Sequence, residues 1–424
     1  MASLAREISD GAAPEWVGTS VEADVGPLAA RHFLFLQGLP GPFFRRLGAA
    51  LRADGAAVSR INFNGGDVLD WPGQGAMAYR GTPADWPDWL AAYVADRGVT
   101  DIIVFGDLRP AHRAARALAD RRGLRFVTFE EGYLRPNHVT LERGGVNGHS
   151  SFPRSLHALR LIAARAGELG DEVPVANSFR RRANQSALYY AATQAAAPFF
   201  PHYRTHRHAS PVREGLAWLR RYARRWHERR MSRDAVAGLA GRRFFLFPLQ
   251  LEGDAQIRVH SRFGTMRDAV GEVLAAFRDA PADVALLVKQ HPLDPDVDNW
   301  RGFVTDRAAA LGLSARVVFI ERFDLMPLLK VARGVVTVNS SVGPLALAAG
   351  VPVKTLGTAI YDVPGVTADV PLDRFWHNPP PVDTEAFAVF CRALRAKCLV
   401  NGGFHGTDAL DLLVRNAVAR LRDR

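Results

Sequence analysis

The sequence predicts an α/β protein with two Rossmann-type lobes, a cleft between them and a helical, arginine-rich insertion. Its 424 residues are enough for two lobes that each bury a core. Hydrophobic residues make up 48% and charged residues 23%, which is typical of a folded globular chain and excludes extended disorder. Short β-rich runs alternate with helix-like runs in two blocks, and this alternation is typical of parallel sheets with right-handed crossovers.

In the first block, apolar runs rich in Phe, Val and Ile predict buried strands, and amphipathic runs predict helices. The first helix closes at Gly55, a residue type that favours helix ends. The predicted strands are 32–38, 57–64, 100–107 and 124–132, and the predicted helices are 42–55, 84–97 and 111–123.

The second block matches the first in periodicity but not in residues. Its predicted strands are 242–250, 282–292, 315–321, 334–341 and 351–357, and its predicted helices are 265–278, 300–312, 324–332 and 343–350. We therefore expect an N-terminal lobe over 1–175, a helical basic segment over 176–240, a C-terminal lobe over 241–375, and helices over 376–424 that pack back on the lobes. Two such lobes typically bind ligands in the cleft between them.

The N-terminal residues lack the apolar core of a secretion signal, and no run approaches the roughly 18 apolar residues that span a bilayer. We therefore expect a cytoplasmic protein. The two cysteines, Cys391 and Cys398, have neither CxxC spacing nor an adjacent histidine. This pattern favours buried small hydrophobic residues in a reducing compartment over a structural zinc site.

Polar clusters lie where predicted strands end, which is where open parallel sheets bind ligands. One strand ends in Lys289, His291 and Pro292, whose cationic and hydrogen-bonding groups suit a nucleotide phosphate; a solvated strand end is the alternative. Ser340 and Ser341 end another strand and open a helix, where they either cap the helix or contribute to an anion site. Together these clusters predict one phosphate pocket in the C-terminal lobe.

The N-terminal lobe contributes acidic residues at a strand end. Glu130 and Glu131 are adjacent, so one carboxylate can face the cleft while the other turns toward packing or solvent. This suits one catalytic acid, base or nucleophile; a surface turn is the alternative. Arg135 could hold a carboxylate substrate or tune the glutamates. Gly38 lies in a turn that fits neither GxGxxG nor a P-loop, and it allows either close ligand approach or a tight turn.

Taken in order, these clusters resemble the capsule-polysaccharide Kdo transferases of the KpsS/LipB type. The resemblance covers most of the chain and rests on the segments FLQGLPGPFF, RINFNGGD, FGDLRPAHR, FEEGYLRPNHVTLERGGVNG, PLQLEGDAQI, KQHP and VNSSVG. The acid-acid-Gly, HP and Ser-Ser elements are also similar to those of CMP-sialic-acid-dependent sialyltransferases. The resemblance implies a retaining GT-B-type glycosyltransferase that moves Kdo from CMP-β-Kdo to phosphatidylglycerol or lyso-phosphatidylglycerol and so begins the β-Kdo linker of capsular polysaccharide.

Carried over residue by residue, the resemblance implies a set of roles. Glu131 is the nucleophile or general base, with Glu130 as the fallback and Asp254 as a second acid/base candidate. The donor-binding residues are Lys289, His291, Pro292, Ser340, Ser341, Gln250, Gln256 and Gly38, and the acceptor-binding residues are Arg135, Asn147 and His138. No DxD pair ends a strand of the second lobe, so we expect neither a metal nor another cofactor besides the donor substrate.

The net charge of +11 is concentrated in one segment, since residues 202–233 carry ten Arg and two Glu. Trp218, Tyr222 and Trp226 recur at i, i+4 and i+8 along one side of a helix, and arginines surround them. This combination favours the headgroup region of an anionic membrane, and its arginines include Arg220, Arg221, Arg224 and Arg225. Packing of the aromatic rings on the C-terminal lobe and nucleic-acid binding are the alternatives, but no nucleic-acid motif accompanies the segment.

Two other functions stay open at this stage. The chain could extend an existing β-Kdo linker, or it could be a non-catalytic capsule assembly or export partner that binds nucleotide sugar or lipid. In each case we expect a peripheral protein on the inner face of the cytoplasmic membrane, with other capsule assembly proteins as further partners.

Overall fold

A computed structural model describes residues 28–73, 75–205 and 211–423 of the chain. Apolar and β-branched runs form its strands. These are β1 (His32–Phe35), β2 (Ala57–Asn62), β3 (Ala76–Ala78), β4 (Asp101–Phe105), β5 (Arg125–Glu131), β6 (His138–Arg143), β7 (Arg243–Pro248), β8 (Val284–Lys289), β9 (Val317–Ile320), β10 (Gly334–Thr337), β11 (Val353–Thr355) and β12 (Leu399–Asn401).

Most helices follow a strand and cross back over a sheet. They are α1 (Phe43–Ala53), α2 (Gly65–Asp70), α3 (Trp86–Arg97), α4 (Pro110–Arg122), α5 (Leu156–Arg165), α6 (Phe179–Ala195), α7 (Pro211–Ala237), α8 (Ala255–His260), α9 (Met266–Phe277), α10 (Trp300–Ala310), α11 (Leu325–Leu329), α12 (Val342–Ala348), α13 (Leu372–His377), α14 (Thr384–Lys397) and α15 (Thr407–Arg422). None of these helices is both long enough and apolar enough to cross a bilayer.

The described part of the N-terminal lobe contains a seven-stranded sheet with the order β12-β6-β5-β4-β1-β2-β3. Strands β1 to β5 run parallel, whereas β6 and β12 join the edge in antiparallel pairs. Side chains alternate along β1: Phe33 and Phe35 pack with α1 and α15, and Leu34 packs on the opposite face with α3 and α4. Helices thus cover both faces, as a parallel sheet requires.

The C-terminal lobe, over the same described residues, contains a five-stranded parallel sheet with the order β11-β10-β7-β8-β9. Phe245 of β7 packs in the cluster that includes α9, α10 and α13, and Leu246 packs in the cluster that includes α12 and α14. Cys398 is buried in the second of these clusters, as the sequence predicted, whereas Cys391 is only half-buried against it.

The predicted α/β class and the two Rossmann-type, GT-B-like lobes are confirmed. Sequence periodicity missed α2 and β3, and it also missed the antiparallel strands β6 and β12. The chain ends on the N-terminal lobe, because β12 pairs with β6 and α15 packs with α1 in one core. Predicted strand 282–292 ends at Lys289, so His291 lies in the following loop.

Helix α6 is fixed to the N-terminal lobe by a buried polar network. The Tyr189 hydroxyl accepts hydrogen bonds from Gln37 Nε2 at 2.8 Å and Asn64 Nδ2 at 3.0 Å, and it donates to Asp67 Oδ1 at 3.0 Å. The segment NGGD brings α2 against α6, because a Cβ at Gly65 would lie 2.2 Å from the Ala192 carbonyl oxygen and a Cβ at Gly66 would lie 2.6 Å from the Tyr189 ring. These two glycines therefore let the helices touch.

We expect Gly66→Ala to destabilise the protein by about 1–3 kcal/mol, because the added methyl group overpacks the contact between α2 and α6. Urea unfolding measures the change. Gly271→Ala is the matched control, since it adds the same methyl group within α9, where the added Cβ has no contact within 4 Å beyond its chain neighbours and the nearby helix backbone, and it should stabilise by about 0.5–1 kcal/mol. Equal effects of the two substitutions would contradict the packing role of Gly66.

Candidate active site

A loop of the N-terminal lobe, which follows β6, contacts α8 of the C-terminal lobe. The His149 and His260 rings lie 4.7 Å apart, and a Cβ at Gly148 would lie 2.3 Å from His260 Nδ1. Arg154 also donates a hydrogen bond to the Ala359 carbonyl. The lobes therefore touch through this loop.

The acidic pair stands at the end of β5. Glu131 Oε1 lies 3.1 Å from Arg182 Nη1, and Glu130 accepts a hydrogen bond from the Glu131 amide at 3.0 Å. Burial raises the pKa of Glu130 to about 7, against the lowering effect of Arg109 and Arg135. The two neighbours therefore have different surroundings, with Glu131 paired to a cation and Glu130 able to gain or lose a proton near neutral pH.

Arg182 was not found from the sequence, where it is one of three consecutive arginines at the start of α6. The Tyr189 network fixes the helix, and Gln185 of the same helix lies 2.9 Å from His405 Nδ1. Spacing along this helix places Arg182 and Gln185 one turn apart and on one side, toward the end of β5.

His291 and Lys289 lie at the end of β8, as predicted. His291 Nδ1 accepts a hydrogen bond from the Leu293 amide at 3.1 Å. Burial and the nearby charges of Lys289 and Arg221 lower the pKa of His291 to about 4, so the ring is neutral at pH 7. Because Nδ1 accepts, the ring proton is on Nε2, which is a hydrogen-bond donor. Burial and Arg221 likewise lower the pKa of the Lys289 ammonium.

Arg221 corrects one sequence prediction, because it belongs to this cluster and not to a membrane surface. Its side chain is buried at 2% exposure, and it donates to the Pro292 carbonyl at 3.2 Å and the His291 carbonyl at 3.5 Å. Its Nε is buried with no hydrogen-bond partner among the described atoms. Arg220 also contacts the C-terminal lobe, where it donates to the Asp296 carbonyl at 2.9 Å. The C-terminal lobe thus uses two of the four arginines assigned to a lipid surface.

A polar pair bridges the ends of β7 and β10, where the strand order of the C-terminal sheet reverses. Gln250 donates to Asn339 Oδ1 at 2.9 Å, and the Asn339 amide donates back to Gln250 at 3.1 Å. Asn339 Nδ2 also donates to the Gln256 carbonyl at 2.9 Å. Asp254 caps α8 by accepting from the Gln256 amide at 2.9 Å, and burial raises its pKa. Asn339, which sequence reasoning passed over, therefore organises this edge.

Of the two serines, Ser340 forms the helix-capping bond. Its hydroxyl accepts from the Val342 amide at 3.3 Å, and its carbonyl accepts from the Tyr361 hydroxyl at 2.6 Å. Ser341 is the N-cap residue, directly before α12, but its side chain forms no capping hydrogen bond. Its hydroxyl is engaged by none of the described residues and is available to a ligand.

Arg135 is exposed and donates from Nε to the Gly132 carbonyl at 3.2 Å. Its charge lowers the pKa of His291 and of Asp254, both of which are in the other lobe. Arg182 also lowers the pKa of His291. Cations beside the two glutamates therefore lie within electrostatic reach of His291 in the predicted phosphate site.

Three predicted residues have other surroundings. His138 is buried in β6 opposite Asn401, and its Nδ1 lies 3.9 Å from Glu172, so the structure does not bring it to the cleft. Asn147 contacts protein through its backbone, since its amide donates to the Tyr133 hydroxyl at 2.7 Å and φ is 57°. The Gly38 carbonyl accepts from Arg109 at 3.0 Å.

A metal site would need several ligating side chains together. Among the described residues, no group of three or more His, Cys, Asp or Glu could hold a metal ion.

Comparison with known proteins gives a consistent set of relatives. Residues 100–405 match the family described as capsule polysaccharide biosynthesis protein. The chain is 34% identical to the capsule polysaccharide export protein KpsS of Escherichia coli, over 89% of this chain and 98% of that protein. It is 33% identical to the capsule polysaccharide modification protein LipB of Neisseria meningitidis serogroup A, over 89% and 92%. Among solved structures, KpsC of Thermosulfurimonas dismutans, titled a β Kdo 2,7 transferase, superposes with a TM-score of 0.41 at 14% identity, over 85% and 89%.

We expect Arg221→Met to raise the pKa of His291 above about 4, toward the ordinary value near 6.5, because a neighbouring positive charge disfavours the imidazolium. Titration of the ring by NMR measures this. Arg220→Met is the control, since it removes an arginine of the same helix that contacts Asp296 instead. An unchanged or lower pKa in Arg221→Met would contradict the charge cluster.

Proposed function

The chain belongs to the capsule polysaccharide biosynthesis protein family, and on that premise we propose that it is a retaining glycosyltransferase that moves Kdo from CMP-β-Kdo to phosphatidylglycerol or lyso-phosphatidylglycerol. The observation that supports this best is the cluster of Lys289, Arg221 and neutral His291, which lies within electrostatic reach of Arg182, the partner of Glu131. Like charges buried together destabilise one another, and a bound phosphate offsets that cost.

In this proposal the C-terminal lobe binds CMP. Lys289 supplies a charge, and His291 Nε2 and the Ser341 hydroxyl supply hydrogen bonds to the phosphate. The edge formed by Gln250 and Asn339 lies beside the nucleotide, together with Gln256 and Ser340. Pro292 shapes the phosphate loop, and Gly38 lies across the cleft. Metal-independent chemistry is part of the proposal, because these groups can neutralise the leaving phosphate.

The reaction proceeds by two displacements. The Glu131 carboxylate attacks the anomeric carbon, the bond from that carbon to the phosphate oxygen breaks, and its electron pair leaves with CMP. An acceptor hydroxyl then attacks the same carbon, the bond to Glu131 breaks, and the hydroxyl proton passes to Glu130. A pKa of about 7 suits Glu130 to accept and release that proton near neutral pH. Asp254 is less suited, because its carboxylate already caps α8.

The proposed acceptor is a lipid, and the outer face of α7 supports a membrane location. Leu216, Leu219, Tyr222 and Trp226 are each more than 60% exposed and lie along the side of the helix opposite the buried Arg221. Trp218 is exposed at 38% on the flank. Arg225 lies 3.8 Å over the Tyr222 ring. We propose that this face binds the anionic inner leaflet of the cytoplasmic membrane.

Transfer activity tests the enzyme proposal. With CMP-Kdo and a fluorescent phosphatidylglycerol analogue, we expect CMP release and labelled product. His291→Ala should lower the rate on the order of 10²–10³-fold, since one donor to the leaving phosphate is lost, and Glu131→Gln should lower it at least as much. His157→Ala, an exposed histidine of α5, is the matched control and should retain full activity.

Release of CMP only with a Kdo-bearing acceptor would show that the protein extends an existing linker. Capsule production that survives both His291→Ala and Glu131→Ala would instead support a non-catalytic assembly partner.

Vesicle binding tests the membrane proposal. Arg224→Gln with Arg225→Gln should weaken binding to anionic vesicles about tenfold or more, because each surface arginine contributes about 1 kcal/mol. Binding should also fall with added salt. The control pair is Arg243→Gln with Arg262→Gln, which removes two arginines from ion pairs elsewhere on the C-terminal lobe. Equal loss in both double variants would remove the claim for α7.

A further inference from the structure

The Arg182–Glu131 pair blocks the carboxylate on which the proposed reaction depends. Glu131 Oε1 is 3.1 Å from Arg182 Nη1, and a carboxylate held by a guanidinium is a weaker nucleophile than a free one. We propose that Arg182 is the binding residue for the carboxylate group of the donor sugar, and that this carboxylate replaces Glu131 on the guanidinium. This inference rests on the proposed function and assigns the acid-recognising group of the same site.

The position of Arg182 fits this exchange. The backbone of α6 is fixed by the buried Tyr189 network and by the contact between Gln185 and His405. The Arg182 side chain is 42% exposed, so its guanidinium can change partners without movement of the helix. Its neighbour Arg181 instead donates to Thr407 Oγ1 at 2.8 Å, away from Glu131.

The chemistry of the donor sets a second requirement. In a CMP-linked ulosonic acid, the carboxylate and the phosphate ester oxygen are attached to one anomeric carbon. The residue that binds the carboxylate must therefore lie near both the attacking group and the phosphate-binding group. Arg182 meets both conditions, since it contacts Glu131 directly and its charge acts on His291 of the opposite lobe.

Charge balance gives the exchange its direction. Without donor, Arg182 and Glu131 neutralise one another. With donor bound, the sugar carboxylate takes the guanidinium, where two parallel hydrogen bonds are possible, and Glu131 is released beside the anomeric carbon. A neutral sugar on the same nucleotide lacks the group that displaces Glu131, so the site selects acidic sugars.

Equilibrium binding of two ligands to the full chain tests this inference, with CMP and CMP-Kdo measured separately without acceptor. Every variant is measured in a Glu131→Gln background, so that no covalent sugar intermediate forms and binding stays at equilibrium. Arg182→Gln should weaken CMP-Kdo binding by roughly 10–100-fold, which is typical of a lost charged hydrogen bond, and leave CMP binding unchanged. Arg182→Lys should give an intermediate loss, because lysine keeps the charge without the planar fork. Arg181→Gln is the matched control and should bind both ligands normally.

The outcomes separate the two proposals. If the Glu131→Gln parent prefers CMP-Kdo to CMP and Arg182→Gln in that background keeps the preference, the inference is overturned while the proposed function stands. If Arg182→Gln loses the preference but wild type transfers no Kdo to lipid, the carboxylate site stands and the acceptor assignment fails. If wild type binds neither ligand, both fail. Loss of CMP binding in Arg182→Gln together with a lowered melting temperature would show that Arg182 has a structural role instead. Arg182→Lys checks this independently, because it keeps the charge and should show an intermediate loss of CMP-Kdo binding.

Discussion

Parallel strands all end at one edge of their sheet, and the candidate site depends on this constraint. Both lobes contain such a sheet, and in each the strand order reverses beside the first strand of the lobe. Backbone groups at the reversal have no partner in a neighbouring strand, so side chains form hydrogen bonds there. In the C-terminal lobe Gln250 bonds with Asn339, and in the N-terminal lobe Arg109 donates to the Gly38 carbonyl. Polar groups from distant parts of the sequence therefore gather where two such edges face each other.

The segment between the lobes is part of this site and not a passive connection. Helix α6 attaches to the N-terminal lobe through Tyr189 and directs Arg182 to Glu131. Helix α7 attaches to the C-terminal lobe, where the Ser232 hydroxyl accepts from the Glu321 amide at 3.2 Å, and it directs Arg221 to the loop after β8. Each helix thus adds a cation that neither sheet supplies.

The sequence was sufficient for the fold class, for most strands of both sheets, and for the polar groups at strand ends. These predictions depend on local periodicity and on a general property of parallel sheets. The sequence was not sufficient to predict which side of each helix in the segment between the lobes is buried. The buried side of α7 carries Arg221, Glu228 and Ser232, which a hydrophobic pattern assigns to solvent, while Leu219 and Trp226 are exposed. Antiparallel β12 was missed for a related reason, because its partner β6 lies more than 250 residues before it along the chain.

The exposed apolar face of α7 and the loop that contains His291 lie on opposite sides of this helix. The distance between them is therefore no more than the thickness of one helix, about 10–12 Å with side chains. We call this exposed face the apolar stripe. If that stripe rests in a leaflet, the reacting centre stands at headgroup height and not deep in the aqueous phase. The phospholipid that we propose as acceptor would then react with its acyl chains still in the bilayer, and no tunnel would be needed to extract them. The nucleotide sugar that we propose as donor would, by contrast, arrive from water on the other side of the same helix.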